Sequence, residues 1–288
     1  MIQRNEANAI IQHGTMTLIR RSALAEVGGW SEWCITEDAE LGLRLLAAGW
    51  NSLYVPNSFG RGLLPSDFNA YKTQRFRWTY GAMQILRRFG PELLGLRKSR
   101  LRMPQKYHFL AGWMPWLADA VGFIFTLAAG VWTVTMIIFP DQFGPPIELF
   151  LIPVLVVFVL RQLRDWILYA VRVKCSLRNS LYAAIAGQSL KYTIARAVLT
   201  SVFKKNMPFQ KTRKQWSFLS PFQALMTSVT ETSMFLAISC ILVGFCLHCD
   251  LSDTTNILWI FILIIQTMPY LTSFLMACSD ALSRRRMT

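Results

Sequence analysis

Thr36-Glu37-Asp38 opens the helix-forming stretch EDAELGLRLLAAG, and the free N–H groups and macrodipole of a helix start favour carboxylates there. A carboxylate kept ionised beside a hydroxyl can take its proton as the oxygen attacks a carbon, and Asp38 is placed to be that base. The same three residues also suit an N-cap threonine followed by first-turn acids, which concerns helix stability alone. Further along, Gln74, Arg77, Trp78 and Gly81 follow the i, i+3, i+4, i+7 spacing and share one helix face. On such a face Arg77 could hold a departing diphosphate through paired hydrogen bonds, and Trp78 could offer a flat apolar surface to a sugar ring. A surface helix with one half-buried tryptophan would show the same pattern.

The elements that must position these residues come from a mixed α/β pattern over residues 1 to 100. TMTLI (15–19) alternates like a strand, and LYV (53–55) reads as another. Between them Ser22 can cap a short helix that Gly28 and Gly29 close, and a second helix stops at Gly49. From Asp67 to Phe89 a long helix carries YKTQRFRWTYGAMQILRR. Together these elements amount to part of a Rossmann-like layer.

The rest of the 288-residue chain is written for lipid. Hydrophobic residues make up 53% and the mean hydropathy is +0.34, too apolar for a soluble pair of domains. The net charge of +14 alone would fit a nucleic-acid binder, but long uncharged stretches exclude that class. Four stretches have the length and apolarity of membrane spans, at 117–139, 147–168, 221–247 and 257–279. Basic residues crowd 87–106, 171–214 and 284–286. The loops 140–146 and 248–256 hold Asp141, Asp250 and Asp253 and neither Lys nor Arg. The positive-inside rule then puts both ends on the cytoplasmic side of an inner (plasma) membrane, which an even number of spans allows. GQSLKYTIARAVLTSVF (187–203) reads as an interfacial helix between the second and third spans. Trp113, Trp116 and Trp132, with Asp119, Arg161, Arg164, Asp165 and Glu231, are candidates to line a polar path. The start MIQRNEANAI lacks the apolar core of a cleavable signal peptide. Cys246-x-x-Cys249 has no second ligand pair, and the six cysteines form no disulfide framework.

Thr36-Glu37-Asp38 followed by Gln74-Arg75-Phe76-Arg77-Trp78 resembles the T-E-D and Q-x-x-R-W pair of processive family 2 glycosyltransferases, the group of cellulose, hyaluronan and cyclic β-glucan synthases. His13-Gly14-Thr15, Gly28-Gly29-Trp30 and Glu40-Leu41-Gly42 resemble that family's acceptor-site surroundings. The resemblance implies a partial glycosyltransferase A-type domain over 1–106 and a membrane domain over 107–288. It implies inverting transfer of a sugar, with glucose preferred, from a nucleotide-diphosphate sugar such as UDP-glucose to a growing β-glycan that enters the bilayer. Asp38 would be the catalytic base. Glu37, Gln74, Arg75, Arg77, Trp78, His13, Gly14 and Thr15 would bind acceptor and diphosphate. The family's F-x-V-T-x-K-G gating loop is matched at Phe209, Thr212 and Lys214 within 204–216, with Lys211 and Gln215 replacing the Val and Gly. The family also holds Mg or Mn through a D-x-D upstream of T-E-D, and before Thr36 this chain offers only Glu6, Glu26 and Glu32 as acids. The expectation is therefore a C-terminal part whose partner is an N-terminal donor-binding region, inactive alone. The other reading is a non-catalytic membrane scaffold or transport subunit.

Overall fold

A computed structural model describes residues 2–57, 59–173, 175–204, 207 and 221–285. They form eleven α-helices: α1 (Ile2–Glu6), α2 (Arg21–Glu26), α3 (Glu37–Ala47), α4 (Phe68–Leu93), α5 (Met103–Ile138), α6 (Glu148–Leu168), α7 (Leu177–Gln188), α8 (Lys191–Phe203), α9 (Pro221–Met226), α10 (Val229–His248) and α11 (Thr254–Arg285). The chain divides into two compact units. One comprises 1–120 with 193–216, the other 121–192 with 217–288.

The first unit is helical, and among the described residues neither expected strand forms, so the Rossmann-like expectation finds no sheet here. A strand exists by ladder pairing, and among the described residues neither stretch makes a ladder. At 15–19 the chain bends through Gly14 and through Met16 at φ 53°, leaving Leu18 fully exposed. At 53–55 side chains make the hydrogen bonds that a neighbouring strand would. Asn8 Oδ1 accepts from Ser52 N at 2.6 Å, and Asn5 Oδ1 accepts from Tyr54 N at 2.6 Å.

The helices follow the expected punctuation with one correction. α2 begins at Arg21, so Ser22 lies inside it and is no cap. Its end is closed as expected, by Gly28 and Gly29 at positive φ, with Gly29 N donating to Leu24 O. At the end of α3, Gly49 takes φ 97° and Trp50 N reaches back to Leu45 O, the six-to-one bond of a Schellman closure. Asp67 caps α4, its Oδ1 accepting from Ala70 N at 2.8 Å. Beyond Trp78, residues 79–85 of α4 are buried without a break, so these two turns of the helix are enclosed on all sides. α8 covers part of it. Arg196 lies 5.0 Å over the Phe76 ring, Tyr80 Oη donates to Lys204 O at 2.7 Å, and Arg87 donates to Ser201 O.

The second unit centres on α11, which packs against α10, α9, α7 and α6. A core of Ala129, Met136, Leu151, Phe245, Trp259, Ile262 and Leu263 fills it. Among the described residues, three helices are long and apolar enough to cross a membrane: Met103–Ile138, Val229–His248 and Thr254–Leu282. The stretch expected as the second span is also a helix, α6, whose sequence carries Arg161, Arg164 and Asp165 near its end. The third expected span is divided, with α9 ending at Met226 and α10 starting at Val229. The hydroxyl of Thr227 turns back to Ala224 O at 2.6 Å in the break. Likewise the expected interfacial segment splits at Ser189, and its larger part is α8. Of the tryptophans considered for a path, Trp132 gives its indole N–H to Gly144 O at 3.1 Å and sets its ring edge against Phe143. Trp113 is buried against Phe109. Cross-helix polar contacts of the second unit include Thr126 with Gln266, Trp259 with Thr133 and Ser273 with Ser228.

Candidate active site

The site is built where the start of α3 meets α4. Thr36 occupies the N-cap position, but with φ −118° and ψ 61° its side chain caps nothing. Its Oγ1 lies 3.4 Å from Cys34 Sγ and it sits against the α4 backbone. That approach requires Gly81, since a Cβ there would stand 2.3 Å from Thr36 Oγ1 and 2.8 Å from Thr36 Cβ. A β-branched side chain pressed on a helix backbone has little room to yield. Cys34 Sγ also donates to Gly81 O at 3.7 Å, and burial pushes this thiol's pKa up, partly countered by its hydrogen bonding with Thr36.

One residue into α3, Asp38 turns Oδ1 onto the free Ala39 N–H at 2.8 Å. Its Oδ2 faces Gly14, where a Cβ would stand 2.7 Å away and where φ is +73°. Space and backbone both demand glycine there. His13, next in the chain, keeps an exposed edge. The protein around it lowers its pKa by desolvation, the nearby Asp38 charge raises it, and Arg4 lowers it again.

From α4, Arg77 reaches the same place. Half-buried, its guanidinium has its pKa lowered by desolvation, with the charges of Glu37 and Asp38 acting in the opposite sense. His13, Gly14, Glu37, Asp38 and Arg77 are thus brought together from three separate stretches of sequence. On the adjoining side Arg75 stands 4.8 Å over the Trp78 ring and 5.3 Å over Tyr71, and donates to the Tyr71 hydroxyl at 3.5 Å. Arg75 Nε is buried and has no acceptor among the described residues. Trp78 keeps 37% of its surface exposed, Gln74 is half-buried one turn earlier, and Thr15 is exposed beyond Gly14. Phe209, Thr212 and Lys214 lie outside the described residues.

Two supporting sets hold the site; the resemblance had marked Glu40 and the Gly28-Gly29-Trp30 turn as acceptor-site surroundings, but neither Arg44 nor Gln84 was read from the sequence as part of it. Glu40, 1% exposed, accepts from Ser31 Oγ at 2.6 Å and from Arg44 Nε at 2.8 Å. Arg44 then donates to Gly29 O at 2.8 Å and to Val27 O, which ties α3 to the Gly28-Gly29-Trp30 turn. The i, i+4 spacing of Glu40 and Arg44 was a visible signal. Gln84 is the other. Its Oε1 accepts from Ile35 N at 3.1 Å and its Nε2 donates to Trp33 O at 3.2 Å. The signal was a single amide in the otherwise apolar run GAMQIL, seven residues after Arg77.

Among the described residues no three His, Cys, Asp or Glu side chains are grouped to hold an ion.

Glycosyl transferase family group 2 matches residues 3–160, more than half of the chain. A probable glucomannan 4-beta-mannosyltransferase 2 of Oryza sativa subsp. japonica is 37% identical over 98 residues, which cover 34% of this chain and 17% of the relative. The cellulose synthase 1 catalytic subunit (UDP-forming) of Komagataeibacter xylinus is 32% identical over 117 residues, 39% of this chain and 16% of that one. The probable glucomannan 4-beta-mannosyltransferase 7 of Oryza sativa subsp. japonica is 25% identical over 214 residues, 70% of this chain and 36% of the relative. The chain thus spans only a minor part of the length of these relatives. It belongs to glycosyl transferase family group 2, with cellulose synthase-like proteins as its relatives.

Proposed function

We propose that this chain carries the acceptor and base side of an inverting hexosyl transfer, and that a donor-binding region supplies the nucleotide sugar and any metal on its diphosphate. The acceptor hydroxyl oxygen attacks the anomeric carbon and its proton passes to Asp38. The bond from that carbon to the diphosphate oxygen breaks, and the electron pair leaves with the nucleotide diphosphate. Trp78 stacks under the acceptor ring, Gln74 donates to its hydroxyls, and Arg77 and Arg75 face the departing charge. Glu37, His13, Gly14 and Thr15 close the acceptor side. The observation that carries this reading is the meeting of Asp38 and Arg77 at a joint that only Gly14 and Gly81 permit. A base and a cation so placed suit proton removal on one side of the reacting carbon and charge departure on the other.

Residues 1–106 belong in this reading to a cytoplasmic catalytic domain and 107–288 to the membrane domain, with Phe209, Thr212 and Lys214 on a gating loop. Counting α6 as a span, with Arg161, Arg164 and Asp165 at its cytoplasmic end, makes four and leaves both termini in the cytoplasm of a plasma-membrane protein. Three spans would put the termini on opposite sides. Cysteines placed in 140–146 and 248–256 should then be labelled from outside intact cells, and labelling of 204–214 would reverse the orientation. Glucose remains the proposed donor sugar and the product a β-linked glycan passed into the bilayer. The relatives include proteins named as mannosyltransferases, so nucleotide mannose is the competitor to test.

The deciding experiment is Asp38→Asn in membranes where the chain and a donor-binding region make polymer. Transfer should fall at least ~100-fold, as for a lost general base. Near-normal transfer would remove Asp38 from the mechanism.

A further inference from the structure

The residues just before Asp38 are held in an unusual way. Residues 32–35 form a bent stretch before α3, and Gln84 satisfies both Trp33 O and Ile35 N–H through one side-chain amide. That is the pair of bonds a residue of a neighbouring parallel strand would make, accepting from one residue and donating to another two positions earlier. Gln84 is 6% exposed, so water does not compete for these groups. Between the two anchored positions Cys34 reaches Gly81 O, and after them Thr36 rests on Gly81. Every residue from Trp33 to Thr36 therefore touches α4 through position 81 or 84, and Arg77, Gly81 and Gln84 stand on one face at i, i+4 and i+7.

We infer that Gln84 is a positioning residue for Asp38, setting the place of its carboxylate relative to Arg77 by anchoring the main chain of residues 33–35 to the helix that carries Arg77. The inference rests on the proposed role of Asp38. Residue type is demanding at this position. Leucine fills the space but leaves a buried carbonyl and N–H without partners, and glutamate keeps the acceptor for Ile35 while losing the donor for Trp33. No other neutral side chain of that length presents both.

The test uses the full chain in lipid nanodiscs, as wild type, Gln84→Leu, Gln84→Glu and Asp38→Asn. Two readouts need no turnover. Amide exchange should speed up about tenfold or more at Ile35 and the first turn of α3 in Q84L, as expected for losing a buried hydrogen-bonded pair. Q84E should keep Ile35 slow. α11 exchange should match wild type in every variant, which shows that the protein is folded. Second, the His13 titration midpoint reports the nearness of the Asp38 charge. It should move in Q84L toward the value in D38N, a shift that loosened packing elsewhere would not give. Where polymer is made, Q84L should lower kcat by about 100-fold, the effect of roughly an ångström of misplacement, with KM for the nucleotide sugar within about twofold of wild type. A folded Q84L with wild-type Ile35 exchange and wild-type His13 midpoint overturns the inference. Wild-type transfer in D38N would instead overturn the role of Asp38, leaving the anchoring by Gln84 to be judged from exchange alone.

Discussion

At the α3–α4 joint, main-chain groups are held by side chains from elsewhere. Gln84 serves Trp33 and Ile35, and Arg44 serves Val27 and Gly29. In the membrane unit, buried hydroxyls turn back on their own helices. Thr126 donates to Gly122 O, Thr133 to Ala129 O and Thr272 to Met268 O. Each of those helices satisfies its own backbone, as a segment in lipid must, and bonds between helices such as Trp259 Nε1 to Thr133 Oγ1 at 3.0 Å are additions. Irregular backbone in the first unit depends on single distant side chains, so it is precise and vulnerable together. Helices that satisfy their own backbone should tolerate change better.

The largest break between the two regions should come from one substitution made in each. Gly81→Ala forces a methyl group to within 2.3 Å of Thr36 Oγ1, so the joint must open and polymer synthesis should fall about 100-fold. Gly244→Ala on α10 meets only Ile137 Cδ1 at 3.5 Å, an ordinary contact. It should leave synthesis unchanged and raise thermal stability by up to ~1 kcal/mol through helix propensity. Equal losses in both variants would show that the contrast is false. Next in size, Glu40→Ala removes the carboxylate that Arg44 and Ser31 share, and should cost about 3 kcal/mol, the lower range for breaking a buried pair. The thermal midpoint in detergent measures it, and amide exchange should localise the damage to residues 27–31. Trp259→Phe deletes a cross-helix bond in the membrane unit and should cost only about 0.6 kcal/mol. A loss as large as that of E40A would mean that the bundle depends on its polar contacts after all. The smallest effect is a shift of titration. His13 should titrate below an ordinary histidine, and Asp38→Asn should lower it further, because the lost negative charge had favoured the imidazolium. An upward shift in D38N, read by NMR or by histidine hydrogen exchange, would place Asp38 away from His13.

Much of this organisation could be read from the chain. Asp67 as the start of α4, Gly28, Gly29 and Gly49 as helix closures, and the face shared by Arg77 and Gly81 are local signals, and local signals survive folding. The meeting of Asp38 with Arg77 came from motif order alone. What stayed hidden depends on partners distant in sequence. LYV alternates as a strand should, but its neighbours are the amides of Asn5 and Asn8, and nothing in their own surroundings says so. The break at Thr227 turns on one hydroxyl finding a carbonyl three residues back, a preference too weak to outweigh an apolar run on paper. Gln84 gave only its oddity among apolar residues.

The hydrogen bond from Tyr80 to Lys204 joins residues 124 positions apart, and the first unit takes in 193–216 after the chain has been through α5, α6 and α7. During synthesis at roughly 5–20 residues per second, α4 therefore waits on the order of ten seconds for α8. Through that interval the Tyr80 end of the helix lacks its cover while three further helices leave the ribosome. Biogenesis of the catalytic side is thus tied to the membrane-insertion machinery, and a chain stalled before α8 would display the unfinished face of α4 to chaperones and proteases.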